Sequence, residues 1–219
     1  MKILAHEDIK LTLEDLRNRR PISRPPAPLK RAPGVHLTGV LRQWALEKEI
    51  LAVSEWEEEE EDHYPLLWML GQAVEEFWAS LMVSQGMIWQ PGELQRDGVS
   101  GNPDGVSTHY LKNDYNDVGR IVIEEHKVTK RSCRDGKDVP GLNDRASVIA
   151  WWSRIQQVLG YCNMHPESPV LARFHVLYLN ADYRGIEPVY RRTLVEFSEF
   201  EKQSNWMNVK KFSRRTKPE

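Results

Sequence analysis

Residues 119–129 read GRIVIEEHKVT, and this stretch decides the fold because it has the pattern of a central β-strand. Residues 121–123 are apolar at consecutive positions, which is typical of a strand covered on both faces. Side chains alternate along a strand, so Glu125 and Lys127 point to one face and His126 points to the other. The stretch therefore predicts a buried strand from which a carboxylate and an amine emerge side by side.

The segment before this strand supplies a second carboxylate. Residues 88–110 carry glycines among strand formers, which indicates strands joined by turns. Asp104 lies within residues 101–105, Gly-Asn-Pro-Asp-Gly, and Pro-Asp-Gly alone is typical of an ordinary turn. A turn cluster at residues 113–117 separates this segment from the central strand. Pairing of the two strands as a hairpin would bring Asp104 and Glu125 to one point.

Two carboxylates at one point suit a magnesium ion, which prefers one or two carboxylates together with waters and substrate phosphate. A metal there would lower the pKa of a bound water and neutralise charge that develops at phosphorus. Lys127, partly desolvated beside the ion, would orient the attacking hydroxide or stabilise the pentacovalent state. The alternative for Glu125 and Lys127 is an exposed strand end with a loose ion pair, which stabilises little.

Apolar residues at helical spacing predict two strong helices, over residues 65–85 and 145–163. The remaining elements predicted from apolar patterns are a short helix within residues 1–20, a helix capped by Thr38 that runs to Leu46, strands over 169–180 and 187–196, and a last helix over 197–206. Since helices and strands alternate in this order, we expect a mixed α/β domain built on a central sheet.

Asp104, Glu125 and Lys127 occur in an order that resembles a known signature. Pro103-Asp104 followed by Glu125-x-Lys127 is similar to the motif of the PD-(D/E)xK nucleases. This resemblance implies a restriction-endonuclease-like core, in which a central mixed β-sheet is flanked by helices. It also implies hydrolysis of DNA phosphodiester bonds with Mg²⁺ or Mn²⁺ as cofactor, and Asp104, Glu125 and Lys127 as catalytic residues.

The helix before the sheet carries a second match. Residues 71–75, Gly-Gln-Ala-Val-Glu, resemble the Gly-x-x-x-Glu element of RecB-like and phage-type exonucleases, a branch of the same superfamily. In that branch an acidic residue of this helix reaches the metal, which implies a catalytic and metal-binding role for Glu75. Glu76 is the alternative, and both are otherwise ordinary surface glutamates of a helix.

The helix after the central strand carries the third match. Residues 157–161 resemble the Gln-x-x-x-Tyr motif that marks the RecB-like branch. Spacing of four residues puts Gln157 and Tyr161 on one helical face, and Arg154 shares that face. An amide, a phenol and a guanidinium aligned in this way are able to contact DNA and its phosphates. The alternative is a helix surface with Tyr161 at the edge of the core.

The metal site has one more candidate ligand, and the cysteine count argues against an iron–sulfur cluster. His126 points away from Glu125, so only its main-chain carbonyl is placed to act as a metal ligand. Some RecB-like relatives carry four cysteines for an iron–sulfur cluster. The chain has two cysteines, Cys133 and Cys162, so we expect no cluster.

Charge is distributed in blocks along a chain whose net charge is −2. A near-neutral total neither supports nor excludes nucleic acid as a partner, because local patches decide that. Lys130 and Arg131 follow the central strand and are candidate contacts to the DNA backbone. The alternative for these two residues is an ordinary solvated loop.

The chain is divided by composition into three segments. Residues 1–62 form an N-terminal helical and proline-rich arm with an acidic segment, residues 63–206 form the nuclease core, and residues 207–219 form a basic tail. We find no apolar run near the roughly 20 residues of a membrane span and no signal peptide, so a cytoplasmic protein is expected (in the host cytoplasm if the chain is phage-encoded).

The favoured function is an exonuclease that acts on DNA ends in recombination, repair or phage DNA processing. An endonuclease on the same fold, restriction-like or structure-selective, is the first alternative, and a non-catalytic DNA-binding module is the second. A coincidental motif is the third. Besides DNA, a second copy of the chain or a recombination protein is an expected partner.

Overall fold

The computed structural model describes residues 1–10, 34–48, 78–79, 82–83, 87–89, 91–111, 118–129, 145–178 and 189–216. The predicted proline-rich arm, the acidic run, the polar loop after the central strand and most of the predicted 65–85 helix lie outside these residues. The described elements, in chain order, are β1 (Lys2–Lys10), β2 (Val35–His36), α1 (Leu37–Glu47), β3 (Ile88–Trp89), β4 (Leu94–Arg96), β5 (Val99–Gly101), β6 (Gly105–Leu111), β7 (Val118–Thr129), α2 (Arg145–Met164), β8 (Leu171–Tyr178), β9 (Val189–Glu196) and α3 (Glu199–Ser213).

A six-stranded mixed sheet forms the centre of the molecule, with strand order β1-β9-β8-β7-β6-β3. β7 and β8 pair in parallel, and the other neighbours pair antiparallel. β7 is an interior strand, and its neighbouring residues Val122 and Ile123 are both fully buried although they point to opposite faces. The predicted central strand, covered on both sides, is confirmed.

Three helices cover one face of this sheet, which we call the front face because it carries Ile123 and Glu125. The apolar side chains of α1, α2 and α3 form one core with those of the sheet, and Trp44 of α1 stacks on Phe212 of α3 with ring centroids 5.9 Å apart. Gly160 of α2 leaves room for Leu37 of α1, since a Cβ there would lie 2.6 Å from a Leu37 methyl carbon. The predicted mixed α/β architecture, a central mixed sheet flanked by helices, is confirmed.

The opposite side of the sheet, the rear face, carries Glu124 and His126 of β7. Val122, Leu171 and Leu194 form a small apolar cluster there. The helical residues at 78–79 and 82–83 are buried, apart from Val83.

A second, three-stranded sheet with order β2-β5-β4 lies beside the helices. Its β4–β5 hairpin turns through Asp97 and Gly98, whose φ angles of 52° and 79° are those of a two-residue turn that matches strand twist. The Asp97 carboxylate accepts a hydrogen bond of 2.9 Å from the indole N–H of Trp206. This bond ties the hairpin to α3.

Three elements differ from the sequence-based predictions. Residues 2–10 form a strand rather than part of a helix, because pairing with β9 along the whole strand outweighs local helical propensity. The N-cap of α1 is His36 rather than Thr38. The last helix ends at Ser213 rather than at 206, since Val209 and Phe212 continue its buried stripe. Ser198 and Glu201 form a capping box at its start.

Within the described residues, no helix is both long enough and apolar enough to cross a membrane.

The packing of α3 makes a direct prediction about stability. Phe212 is fully buried against Trp44, so Phe212→Ala should lower the free energy of unfolding by about 3–5 kcal/mol in urea denaturation. Phe200→Ala on the same helix is the matched control, because Phe200 is 79% exposed and its loss should change stability by no more than about 0.5 kcal/mol. Equal effects of the two changes would contradict the placement of α3.

Candidate active site

Asp104 and Glu125 lie opposite each other where β6 begins. The last ladder pair of β6 and β7 is Gly105 with Glu124, so the next residue on each strand brings Asp104 beside Glu125. The main-chain N–H of His126 donates a hydrogen bond of 2.7 Å to Oδ2 of Asp104. The structure therefore brings together the two carboxylates that the sequence placed on neighbouring strands.

Glu125 is compensated by an arginine from α2. Its side chain is only 2% exposed, and its Oε1 accepts a hydrogen bond of 2.7 Å from Nη1 of Arg154. Arg154 itself is 39% exposed, so it spans from the buried carboxylate to the solvent. Burial alone would lower the pKa of the guanidinium, but the charges of Glu125 and Asp104 outweigh burial and raise it.

A ladder of hydrogen bonds runs along α2 from this ion pair. Gln157 accepts from Nη1 of Arg154 at 3.4 Å, and its Nε2 donates to the hydroxyl of Tyr161 at 2.6 Å. These contacts fix the orientation of the Gln157 amide, with its oxygen toward the arginine. The three residues on the predicted helical face are therefore joined to each other and, through Arg154, to Glu125.

Tyr161 is buried at the inner end of this ladder. Gly101 of β5 admits its ring, because a Cβ at that position would lie 2.8 Å from Cε1 of Tyr161. Burial raises the pKa of the phenol, and the charge of Glu125 raises it further. The hydroxyl is thus a neutral hydrogen-bonding group at the edge of the core.

Burial disfavours the charged form of the Asp104 carboxyl group. Burial raises the pKa of Asp104, and this outweighs the His126 N–H bond and the charge of Arg154, which act in the opposite direction. Two carboxylates close together in a site of low polarity repel each other and bind a proton or a cation readily. Lys127, two residues beyond Glu125 on β7, is half-buried on the same face.

The donor set fits a hard divalent cation that keeps most of its water. Asp104 and Glu125 supply two carboxylates, and magnesium is usually bound by one or two. In the described parts of the chain, no group of three or more His, Cys, Asp and Glu side chains is arranged to hold a metal. Glu75, the expected third acidic ligand, lies outside the described residues, as do the expected DNA contacts Lys130 and Arg131.

His126 points to the rear face, as alternation along the strand predicts. Its ring stacks on Trp78, with centroids 4.6 Å apart and planes 24° from parallel. Its side chain is therefore directed away from Asp104 and Glu125, and only its main chain borders the site.

The rear face holds a buried polar cluster that the sequence analysis missed. Glu124, 1% exposed, accepts a hydrogen bond of 2.7 Å from Nη1 of Arg173 and another from the hydroxyl of Ser107. Its second oxygen lies 2.6 Å from Nε2 of His175. A carboxylate in a buried strand requires such partners. Arg173 and His175 lie two residues apart on β8, so both point to the rear face. Because the sequence pattern already predicted this strand, two polar residues at that spacing within it were the signal that could have revealed the cluster.

The hydrogen bonds of this cluster form a chain in which each group donates to the next, from Trp78 to Glu124. The indole N–H of Trp78 can only donate, and it donates to the hydroxyl of Tyr190 at 3.0 Å. The ionised Glu124 carboxylate can only accept, so Nε2 of His175 carries the proton of their hydrogen bond. In the neutral ring, Nδ1 then accepts a hydrogen bond from the Tyr190 hydroxyl. Burial lowers the pKa of His175, which keeps the ring neutral. Burial opposes ionisation of Glu124, but its bond to His175 and the charge of Arg173 hold its pKa below the ordinary value.

Comparison with known proteins gives only distant structural likenesses. No family model matches the chain, and no curated protein is similar to it in sequence. The crystal structure of SSO0001 is similar with a TM-score of 0.46 and 13% identity, over 86% of this chain and 79% of that chain. The crystal structure of LHK-Exo in complex with dAMP is similar with a TM-score of 0.47 and 12% identity, over 83% of this chain and 87% of that chain. Likeness at this level carries no inference about what the chain binds or does.

The burial of His126 predicts a pH dependence of stability. Burial lowers the pKa of this histidine from 6.5 to about 3, so below 6.5 the unfolded chain binds a proton that the folded chain does not. The free energy of unfolding should therefore fall as the pH drops from 6.5, by about 2–3 kcal/mol at pH ~4.5 from this residue alone. His126→Phe should remove that part of the fall.

Urea denaturation of both proteins at several pH values checks this. Above pH ~7.5 the imidazole of His126 is neutral in both the folded and the unfolded chain. The difference in the free energy of unfolding between the two proteins should therefore be constant there, and this range is the internal control. If the wild type and His126→Phe lose the same free energy on acidification, the histidine is not buried as described.

Proposed function

We propose that the chain is a nuclease that hydrolyses phosphodiester bonds of DNA with Mg²⁺ or Mn²⁺. The observation that carries this proposal is the meeting of Asp104 and Glu125 on the front face, with Lys127 on the same face of β7. Their order along the chain resembles that of the PD-(D/E)xK nucleases, and a restriction-endonuclease-like core is part of the same proposal. A mixed sheet with helices packed on it is compatible with that core.

Each residue has a proposed role in the reaction. Asp104 and Glu125 hold the cation, together with the main-chain carbonyl of His126 and with Glu75. A divalent ion held by these groups would supply a water of lowered pKa and would neutralise charge on the phosphate. Lys127 orients the attacking hydroxide or stabilises the extra negative charge of the pentacovalent state.

DNA is proposed to lie across the middle of α2, on the front face. Arg154, partly exposed, contacts Glu125, and Gln157, half-buried, contacts Arg154. Both are therefore proposed to lie near a phosphate of the cleaved strand. Tyr161 supports Gln157 from within the core. Lys130 and Arg131 are proposed to add contacts to the backbone that do not depend on sequence.

The finer proposal is an exonuclease that acts on DNA ends in recombination, repair or phage DNA processing. It is supported by the resemblance of residues 71–75 and 157–161 to the helical motifs of RecB-like and phage-type exonucleases. The hydrogen bonds that join Gln157 to Tyr161 and to Arg154 support a role for residues 157–161 beside the carboxylate pair.

Lys127→Ala tests the proposed chemistry. Removal of a cationic group that acts on the transition state should lower the rate of cleavage of end-labelled linear DNA by about 100- to 1000-fold in Mg²⁺ or Mn²⁺. Arg120→Ala is the matched control, because Arg120 is an exposed cation of the same strand that pairs with Glu196, and its loss should leave the rate unchanged. Undiminished cleavage by Lys127→Ala would contradict the assigned role.

The same reactions on closed circular DNA separate the alternatives. An exonuclease should degrade the linear substrate and leave the circle intact, whereas nicking or linearisation of the circle would establish an endonuclease. Binding of DNA by the wild type with no cleavage in Mn²⁺ would instead favour a non-catalytic DNA-binding module.

A further inference from the structure

We propose that Arg154 is a mobile counter-ion of the active site, which leaves Glu125 for a DNA phosphate when a divalent cation binds. This inference rests on the proposed function and adds a step to it. Arg154 would hold the carboxylate pair in the metal-free protein and would contribute to substrate binding only after the metal is in place. The helix α2 would thereby couple metal binding to DNA binding.

The burial of Glu125 is the first reason. A carboxylate that is 2% exposed is stable in the folded protein only if a positive charge or several donors compensate it. Nη1 of Arg154 lies 2.7 Å from Oε1 of Glu125 and supplies that charge. The same oxygen belongs to the carboxylate that is proposed to bind the cation, so guanidinium and metal compete for one group.

The repulsion between the two cations is the second reason. A metal ion lies about 2.1 Å from the carboxylate oxygen that binds it, so an ion on Oε1 of Glu125 would lie within about 5 Å of Nη1 of a guanidinium still bonded to that oxygen. In a site of low polarity, charges of the same sign at that distance repel strongly. Arg154 therefore cannot keep its bond to Glu125 at full strength once a divalent ion is present.

The third reason is that Arg154 has an alternative position, partly in solvent and beside a second acceptor. Its side chain is 39% exposed, so part of the side chain already meets solvent. It also contacts Oε1 of Gln157 at 3.4 Å, on its own helix. This second acceptor keeps the side chain on the same face of α2 after it leaves Glu125. A planar guanidinium released beside a metal-bound phosphodiester matches the geometry of phosphate oxygens.

A permanent structural ion pair is the alternative, and the two cases predict opposite effects on metal binding. If Arg154 competes with the metal, its neutralisation should tighten metal binding while it weakens DNA binding. If the pair only holds the site in shape, loss of Arg154 should loosen the carboxylates and weaken metal binding as well.

The test is direct measurement of Mn²⁺ affinity by electron paramagnetic resonance on the full chain without DNA. Arg154→Met should bind Mn²⁺ about tenfold tighter than the wild type, a coupling of ordinary size between two ligands of one site. Arg154→Lys keeps the charge and should stay near the wild-type affinity. Arg120→Met, which removes an exposed cation elsewhere on the sheet, is the control for net charge and should change nothing.

DNA binding supplies the second readout, measured with Ca²⁺ in place of Mg²⁺ as the probe cation. Wild-type affinity for a short duplex should increase when Ca²⁺ is added, and the increase should be at least about threefold smaller in Arg154→Met. Tighter metal binding together with weaker metal-dependent DNA binding is a combination that general damage to the site does not produce.

The outcomes separate the two proposals. Equal or weaker Mn²⁺ binding by Arg154→Met, with normal binding by the wild type, overturns the role of Arg154 and leaves the nuclease proposal standing. No Mn²⁺ binding by the wild type or by any variant overturns both. Binding by Arg154→Met alone supports the competition. Should Arg154→Met fail to fold by circular dichroism, Arg154→Gln removes the charge, keeps a donor for Glu125 and should show the same tightening.

Discussion

The pairing of β6 with β7 is the constraint on which the candidate site depends. Its register sets Asp104 beside Glu125, and the His126 N–H bond to Asp104 fixes the end of the hairpin. A shift of one residue would turn Glu125 and Lys127 to the rear face and separate the two carboxylates. Since β7 also pairs in parallel with β8, the interior of the sheet resists such a shift.

Strand β7 carries a buried carboxylate on each face, and each is matched by an arginine from a different element. Glu125 meets Arg154 of α2 on the front, and Glu124 meets Arg173 of β8 on the rear. The rear carboxylate is enclosed in a full set of hydrogen bonds, as expected of a structural group. The front carboxylate has a partner that reaches solvent, as expected of a group that exchanges one cation for another.

The local sequence pattern was sufficient to predict the strand and the helix that carry the candidate site. The central strand predicted over 119–129 is Val118–Thr129, and the helix predicted over 145–163 is Arg145–Met164, because apolar periodicity reports directly which side chains are buried. The convergence of Asp104 with Glu125 was also predictable, since a hairpin needs only adjacent strands. Contacts between elements distant in sequence were not predictable. Strand 2–10 forms because it pairs with β9, and the Glu124 cluster joins five separate segments of the chain.

The central claim is that Asp104 and Glu125 together hold one divalent cation on the front face. A double-mutant cycle of Mn²⁺ affinity tests it most directly, with Asp104→Asn, Glu125→Gln and the double variant compared with the wild type. If the two carboxylates share one ion, each single change should lower the affinity by about tenfold or more, and the effects should be strongly non-additive. Independent, additive losses, or no Mn²⁺ binding by either the wild type or Arg154→Met, would contradict the claim.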